Sequence, residues 1–309
     1  MEKRILIIGA GGQIGTELVQ RLREVHGQDR VIASDLRVPE HAEGPFVALD
    51  ATDGAAVRKT IEDGQVDQVY LLAAMLSATA EKLPRKGWDL NMDSLFICLE
   101  LAKEGLIRKL YWPSSIAAFG PTTPKMGTPQ HTIAEPTTVY GISKFAGERW
   151  CAWYHHKHGV DVRSLRYPGL ISYTAPPGGG TTDYAVDIFH QARKQGHYTS
   201  FLKSDTLLPM MYMPDAIRAT MELMEAPAEQ IKQRGSYNLA AFSFSPESLA
   251  QEIKKHLPDF TIDYAPDFRQ AIADSWPQVI NDEAARSDWH WAHRYDLEAM
   301  VADMLAHIK

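Results

Sequence analysis

The chain has 309 residues, 45% of them hydrophobic, which suffices for two domains or for one large α/β unit with an appended lobe. Its 32 basic and 39 acidic side chains give a net charge of −7, which argues against nucleic acid or an anionic membrane as the main partner. The two cysteines, Cys98 and Cys151, cannot build a disulfide framework or a CxxC motif, so we expect a cytoplasmic protein that holds no metal. The apolar run 69–76 is far shorter than the about 20 residues of a membrane span.

The first half of the chain alternates between short apolar runs and helix-like segments. Strands are predicted at 4–8, 30–33, 46–49, 68–73, 109–112 and 161–166, and helices at 13–25, 53–62, 88–104 and 138–158. Short buried strands separated by helices are typical of a parallel sheet that is covered on both faces. With right-handed crossovers, the pattern predicts a doubly wound α/β fold of the Rossmann type.

The pattern changes after residue 167, where prolines and glycines interrupt it. Helices are predicted at 214–225 and 246–256, the second of which has Ser245 as a good N-cap and Pro246 at its first position. A short strand is predicted at 236–239 and an amphipathic tail at 297–308. We therefore predict a dinucleotide-binding domain over 1–170 and a smaller C-terminal α/β substrate lobe over 171–309, with some segments returning to the first domain.

A glycine-rich turn follows the first predicted strand and opens the first predicted helix. Gly9, Gly12 and Gly15 have the spacing GxxGxxG, which lets the backbone approach a pyrophosphate at a helix N-terminus. Asp35 ends the second predicted strand, where a carboxylate can accept hydrogen bonds from the adenine ribose. Because that carboxylate would repel a 2′-phosphate, the motif favours NAD, although Arg37 keeps NADP open.

A second motif, at the start of the predicted helix 138–158, indicates proton transfer. Tyr140 and Lys144 are four residues apart and share one helix face, where an ammonium can lower the pKa of a phenol toward that of a base. The preceding strand leads into Ser114 and Ser115, and a hydroxyl at the carboxyl end of a strand can hydrogen-bond a substrate oxygen. The YxxxK spacing alone is common, but its combination with the glycine turn is specific.

Together these residues resemble the extended short-chain dehydrogenase/reductase family, which includes the nucleotide-sugar epimerases. The resemblance covers essentially the whole chain, and its segment 114–120 assigns the catalytic hydroxyl to Ser115 rather than to Ser114. It implies a catalytic set of Ser115, Tyr140 and Lys144. It also implies that NAD contacts Gly9, Gly12, Gln13, Ile14, Gly15, Asp35, Leu36, Arg37, Asp50, Leu72, Ala73, Ala74, Asn91, Tyr140, Lys144, Tyr167 and Pro168.

More specific segments resemble the short-chain type of L-threonine 3-dehydrogenase. They are 76–78, 178–185, 211–216, 272–277 and 284–291, and in the last of them His290 replaces a glycine of that family's pattern. The resemblance implies a small-molecule substrate, L-threonine, whose contacts are Ser77, Ser115, Tyr140, Thr181, Thr182, Asp183 and Trp276. Two of these residues have another interpretation, because Asp183 can simply cap the following helix and Trp276 can be a core aromatic.

The expected reaction is oxidation of the threonine β-hydroxyl by NAD to 2-amino-3-oxobutanoate, with Tyr140 as the base. One alternative is a nucleotide-sugar 4-epimerase, which would use the same catalytic residues. Another, of a different class, is a non-catalytic dinucleotide sensor. The resemblance also suggests a homodimer that associates through the helices 88–104 and 138–158.

Overall fold

The structure is a computed structural model that describes residues 4–174, 178 and 180–308, with the backbone alone at Ala78. Its strands are β1 (Arg4–Ile8), β2 (Val31–Asp35), β3 (Phe46–Ala48), β4 (Val66–Leu71), β5 (Lys109–Tyr111), β6 (Ser114–Ser115), β7 (Val162–Arg163), β8 (Leu165–Tyr167), β9 (Gly169–Ile171), β10 (His197–Ser200), β11 (Leu208–Tyr212), β12 (Tyr237–Asn238), β13 (Phe242–Phe244) and β14 (Thr261–Tyr264). Its helices are α1 (Gln13–His26), α2 (Gly54–Gly64), α3 (Ser77–Lys82), α4 (Pro84–Lys103), α5 (Val139–His158), α6 (Tyr184–Gln195), α7 (Met213–Glu225), α8 (Pro246–His256), α9 (Arg269–Asp274), α10 (Glu283–Trp289) and α11 (Leu297–His307).

The chain divides into two compact units that interleave in sequence. The first unit comprises Met1–Ser115, Thr138–Arg166 and Thr220–Tyr237. The second comprises Ile116–Thr137, Tyr167–Ala219 and Asn238–Lys309.

A six-stranded parallel sheet forms the centre of the first unit, in the order β3-β2-β1-β4-β5-β7. In β1, Leu6, Ile7 and Ile8 are almost completely buried, as expected for a strand that helices cover on both faces. The prediction of a doubly wound α/β fold is confirmed. The strand order reverses direction between β1 and β4, and ligands of such sheets bind in the crevice at the carboxyl ends of the strands there.

Helix ends in the first unit follow from local side chains. Asp53 caps α2 by accepting a hydrogen bond from the N–H of Ala56, at 3.0 Å. Thr138 caps α5 in the same way, accepting from the N–H of Gly141 at 3.1 Å. Because Thr138 defines where α5 begins, Tyr140 lies in its first turn and Lys144 one turn later. Both predicted helices are therefore present, within a few residues of the expected bounds.

The second unit contains two small sheets. In one, β11 lies between β9, to which it is parallel, and β13, to which it is antiparallel. In the other, β10 and β14 are parallel. Ser245 and Ser248 form a capping box at the start of α8, as the Ser-Pro pair at 245–246 predicts.

The structure departs from the predicted elements in several places. The single strand expected at 161–166 is two strands, because β7 pairs with β5 in the large sheet whereas β8 neighbours β6. Ser164 lies between them, and its hydroxyl hydrogen-bonds that of Ser236 at 3.0 Å. The sequence pattern also did not indicate α3 in the first unit, nor the following elements of the second unit: β9, α6, β10, β11, β13, β14, α9 and α10.

Candidate active site

The glycine turn lies between β1 and α1, and two of its glycines are required by the fold itself. Gly9 has a φ of +92°, and a Cβ there would lie 2.5 Å from the backbone nitrogen of Ala73. A Cβ on Gly15 would lie 2.4 Å from the carbonyl oxygen of Gly9. Gly12 differs, because the nearest atom to a Cβ there is 3.6 Å away. The chain thus leaves space in front of Gly12, where α1 begins without a side-chain cap and the first-turn N–H groups need an acceptor.

Asp35 borders this turn from the end of β2. One of its carboxylate oxygens accepts from the N–H of Gly11 at 2.9 Å, and the other from the N–H of Leu36 at 2.8 Å. Leu36 and Arg37 are exposed and follow directly. Gly11, Asp35 and Arg37 line one cleft between α1 and the segment 36–46. A pyrophosphate at the turn and a ribose at Asp35 therefore fit the donors and acceptors that the first unit presents.

The segment after β4 is held against the same turn. The N–H groups of Leu72 and Ala73 both donate to the carbonyl oxygen of Ile8, at 2.8 and 3.0 Å. Asn91, buried on α4, accepts from the N–H of Met75 at 2.8 Å and donates to the hydroxyl of Ser143 at 3.1 Å. Its amide thus ties the segment that contains Ala73 and Ala74 to α5.

Asp50 lies in an exposed turn after β3. Its carboxylate accepts from both the N–H and the hydroxyl of Thr52, at 2.8 and 2.7 Å. These hydrogen bonds hold the pKa of Asp50 below its usual value.

The three predicted catalytic residues lie together in the first unit. The hydroxyl of Tyr140 shares a hydrogen bond with the side chain of Ser115. The ammonium of Lys144 is buried, donates to the carbonyl oxygen of Pro113 at 2.7 Å, and lies 5.4 Å from the ring centre of Tyr140. The indole of Trp112 is closer still, 4.5 Å from the Lys144 nitrogen to the ring centre.

Burial has the largest effect on the pKa values of Tyr140 and Lys144. It raises the pKa of Tyr140 to about 12, while the hydrogen bond with Ser115 acts in the opposite direction. It lowers the pKa of Lys144 to about 7, although the nearby side chains of Cys151 and Glu148 act in the opposite direction. The expectation that Lys144 lowers the pKa of Tyr140 below its ordinary value is therefore not met. The reason is that loss of solvent outweighs every other effect on the phenol, and that Lys144 donates to Pro113.

The structure separates the two adjacent serines. Ser115 meets Tyr140, whereas the hydroxyl of Ser114 donates to the buried carboxylate of Glu148 at 2.6 Å. Glu148 also pairs with Arg166. Sequence reasoning did not single out Glu148 or Arg166 as a partner, although Glu148 follows Lys144 at the spacing that separates Lys144 from Tyr140.

The predicted substrate residues lie in both units. In the first, Ser77 is buried as the first residue of α3. In the second, Thr181 and Trp276 are buried and Thr182 and Asp183 are half-buried. Asp183 occupies the N-cap position of α6 but makes no side-chain capping hydrogen bond; its carboxylate accepts instead from the N–H of Gly180, at 2.8 Å. Within the glycine run at 178–180, Gly179 lies outside the described residues.

Two of the predicted NAD contacts are buried in the second unit. They are Tyr167, at the end of β8, and Pro168.

Among the described residues, no group of three or more His, Cys, Asp or Glu side chains could hold a metal ion. In the same part of the chain, each helix is too short or too polar to cross a membrane.

The fold and this site define an oxidoreductase-like protein that binds a dinucleotide at the carboxyl edge of a Rossmann sheet. Residues 5–240 match the model of the NAD dependent epimerase/dehydratase family, and the chain belongs to that family. The predictions of an NAD-dependent enzyme and of NAD as the cofactor are thereby confirmed.

Three relatives illustrate how similar the chain is to known proteins. An uncharacterised epimerase/dehydratase from Staphylococcus haemolyticus is 50% identical over 99% of this chain and 98% of its own. The holo form of an L-threonine dehydrogenase from Cupriavidus necator is 59% identical, with a TM-score of 0.97 over 99% of this chain and 100% of that one. A monomeric L-threonine 3-dehydrogenase from a metagenome is 48% identical, with a TM-score of 0.96 over 98% of each chain.

Proposed function

We propose that this protein is an NAD-dependent L-threonine dehydrogenase that oxidises the β-hydroxyl of L-threonine to 2-amino-3-oxobutanoate. The observation that carries the proposal is the hydrogen bond between Tyr140 and Ser115, with the buried ammonium of Lys144 beside the same ring. Two proteins of known structure, 48% and 59% identical to the chain, are named as L-threonine dehydrogenases, which supports the choice of substrate.

The residues of the chain have distinct tasks in this reaction. The turn at Gly12 and the carboxylate of Asp35 hold NAD, which when bound supplies the hydride acceptor, nicotinamide C4. Once its own proton has passed to Lys144, the phenolate oxygen of Tyr140 takes the proton of the substrate hydroxyl as hydride leaves Cβ, and Ser115 hydrogen-bonds the substrate oxygen. General-base assistance of this kind contributes about 10²- to 10⁴-fold.

Tyr140 and Lys144 act as a coupled pair of titrating groups. The pair loses its first proton near the pKa of Lys144, about 7, well before the phenol at about 12. Transfer of the remaining proton from Tyr140 to Lys144 then creates phenolate beside ammonium without changing the total charge. We therefore expect kcat/KM to rise with pH up to an apparent pKa near 7.

We also propose that Ser77, Thr181, Thr182, Asp183 and Trp276 contact the substrate. Asp183 supplies the negative charge for the ammonium of threonine. Replacing Asp183 by Asn should therefore raise KM for L-threonine. Oxidation of 3-hydroxybutyrate, which has no ammonium, serves as the comparison and should change little.

Turnover of defined alcohols tests the proposal directly. NADH formation, followed by absorbance, should be rapid with L-threonine and slow with its allo isomer, serine and 3-hydroxybutyrate. Tyr140→Phe should retain NAD binding and lose at least 10²-fold in kcat. Tyr154→Phe is the matched control, because that phenol lies on the same helix and bonds Glu100 instead.

Two other outcomes correspond to the alternative functions. Isomerisation of UDP-galactose without net NADH formation would identify a nucleotide-sugar 4-epimerase. Tight NAD binding without turnover of any alcohol would identify a dinucleotide sensor.

We further propose that the protein is a cytoplasmic homodimer, in which α4 and α5 of two copies associate. Trp88, Ile142, Trp150 and Trp153 expose large apolar surface on these helices, and Trp150 and Trp153 pack edge-to-face, with ring centres 5.6 Å apart. Aromatic residues in such a patch are typical of protein interfaces. Sedimentation should give twice the chain mass, and Trp153→Lys should reduce it to one copy. A monomeric wild type, as in the metagenome relative, would contradict this proposal.

A further inference from the structure

A fully buried carboxylate lies on α5 one turn beyond Lys144. Glu148 is 0% exposed, and its Oε1 accepts from the hydroxyl of Ser114 at 2.6 Å and from Nε of Arg166 at 2.8 Å. Its Oε2 accepts from Nη2 of Arg166 at 2.7 Å. One carboxylate thereby joins α5 to β6, which ends in Ser115, and to β8, which contains Arg166.

Burying such a charged cluster costs free energy. Taking a carboxylate and a guanidinium out of water costs several kcal/mol each, and well-packed apolar side chains of similar volume often serve stability as well or better. Stability alone is therefore a weak reason for a charged pair at this position. The neighbours of the pair suggest a different reason.

The surroundings of Lys144 contain few charges. On α5 they are Tyr140, Glu148 and Cys151, and burial raises the pKa of the Cys151 thiol, which keeps it neutral. The strand side presents the carbonyl oxygen of Pro113 and the ring of Trp112. Arg166, from β8, is engaged by Glu148. Glu148 is thus the carboxylate whose negative charge favours the ammonium form of Lys144.

We propose that Glu148 is a positioning residue for the reaction, which holds the strand end that carries Ser115 through Ser114 and favours the ammonium form that Lys144 adopts when it takes the proton of Tyr140. The inference rests on the proposed roles of Tyr140 and Lys144. Arg166 serves to hold the carboxylate in place. Neither Glu148 nor Arg166 needs to touch the substrate.

The two parts of this role have separable consequences. Glu148→Gln keeps the volume and removes the charge, so Lys144 should lose its proton at lower pH. The acid limb of kcat/KM should move to lower pH by on the order of one pH unit. Ser114→Ala keeps the charge and removes the link to β6. In Ser114→Ala the acid limb of kcat/KM should lie at the same pH as in wild type, while kcat falls about tenfold, because small displacements of catalytic groups strongly reduce turnover.

The titration of Lys144 can be read without turnover. In protein with ¹³C-labelled lysine, the Cε chemical shift of Lys144, assigned with Lys144→Met, should titrate at lower pH in Glu148→Gln than in wild type. Asp161→Asn is the matched control, because Asp161 is an ion-paired carboxylate of the same unit that binds Arg163 and Arg234. Ser94→Ala, a buried serine that donates to the Leu90 carbonyl, is the control for Ser114→Ala.

The outcomes distinguish this inference from the proposed function. A wild type that fails to oxidise L-threonine refutes the proposed function, yet the chemical-shift titration still tests the effect of Glu148 on Lys144. A midpoint that is unchanged or higher in Glu148→Gln overturns the inference. If Glu148→Gln does not fold, Ser114→Ala decides, since a kcat equal to that of wild type would overturn the positioning role.

Discussion

Packing beside the catalytic residues is tight at Gly147, where α5 crosses Trp112. A Cβ at Gly147 would lie 2.3 Å from Cη2 and 2.6 Å from Cζ2 of the indole, and 3.1 Å from Cδ2 of Leu95. An ordinary contact needs about 3.4 Å, so Gly147→Ala requires a displacement of about 1 Å. Trp112 and Leu95 are 2% and 0% exposed, so neither side chain has free space into which to move.

The energetic consequence follows from two opposing terms. Overpacking a filled core costs about 1–3 kcal/mol, while alanine in place of glycine returns up to about 1 kcal/mol of helix propensity. We expect the free energy of unfolding to fall by about 1 kcal/mol. We also expect a larger loss of activity, because Lys144 stacks on the same indole at 4.5 Å and a shift of about 1 Å can reduce turnover 10²-fold.

Chemical denaturation and NADH formation measure the two effects in parallel. Gly54→Ala is the matched control, because Gly54 is also helical and a Cβ there would meet Ile97 at an ordinary 3.5 Å. That control should be as stable as wild type or more so. If Gly147→Ala kept the stability and kcat of wild type, the view that this close approach positions α5 would be wrong.

Three further predictions concern stability. His290 ends α10 with a φ of +62°, so His290→Gly should raise the free energy of unfolding in urea by about 1 kcal/mol, and a loss would contradict this. Buried Arg163 donates to the carbonyl oxygens of Leu223 and Ala226 and pairs with Asp161, so Arg163→Met should cost about 3 kcal/mol in the same assay. Burial lowers the pKa of Lys144 from 10.5 to about 7, so the unfolded chain binds more protons between these values. The free energy of unfolding of wild type should therefore rise with pH across that window relative to Lys144→Met, and parallel curves would refute the assignment.

Local signals account for the parts of the fold that the sequence predicts well. A run such as β1 is apolar on both faces because helices cover both, and the glycine turn and Asp35 follow it at fixed spacing. The break at Ser164 has no such signal, since the apolar pattern continues through 161–166. Only the partner strands, β5 for β7 and β6 for β8, determine that the chain changes sheets there.

Side-chain direction limits the prediction of the site in the same way. Successive residues of a strand point to opposite faces, so Ser114 and Ser115 must diverge, but the sequence does not say toward which partners. Asp183 illustrates the limit in a loop. Its predicted roles were an ammonium contact or a helix cap, and the structure shows its carboxylate on the N–H of Gly180.

Four-residue spacing recurs on α5, but the sequence alone reveals the role of only some of the residues so spaced. Tyr140, Lys144 and Glu148 lie on one face of the helix, and the spacing of the first two is enough to indicate proton transfer. The third has the same spacing, yet a glutamate one turn along a helix is ordinarily a solvated residue. What makes Glu148 different is burial against Ser114 and Arg166, which come from strands distant in sequence. The sequence of α5 is therefore enough to predict proton transfer by Tyr140 and Lys144. Control of the Lys144 charge by Glu148 depends on contacts with strand residues that form only when the chain folds.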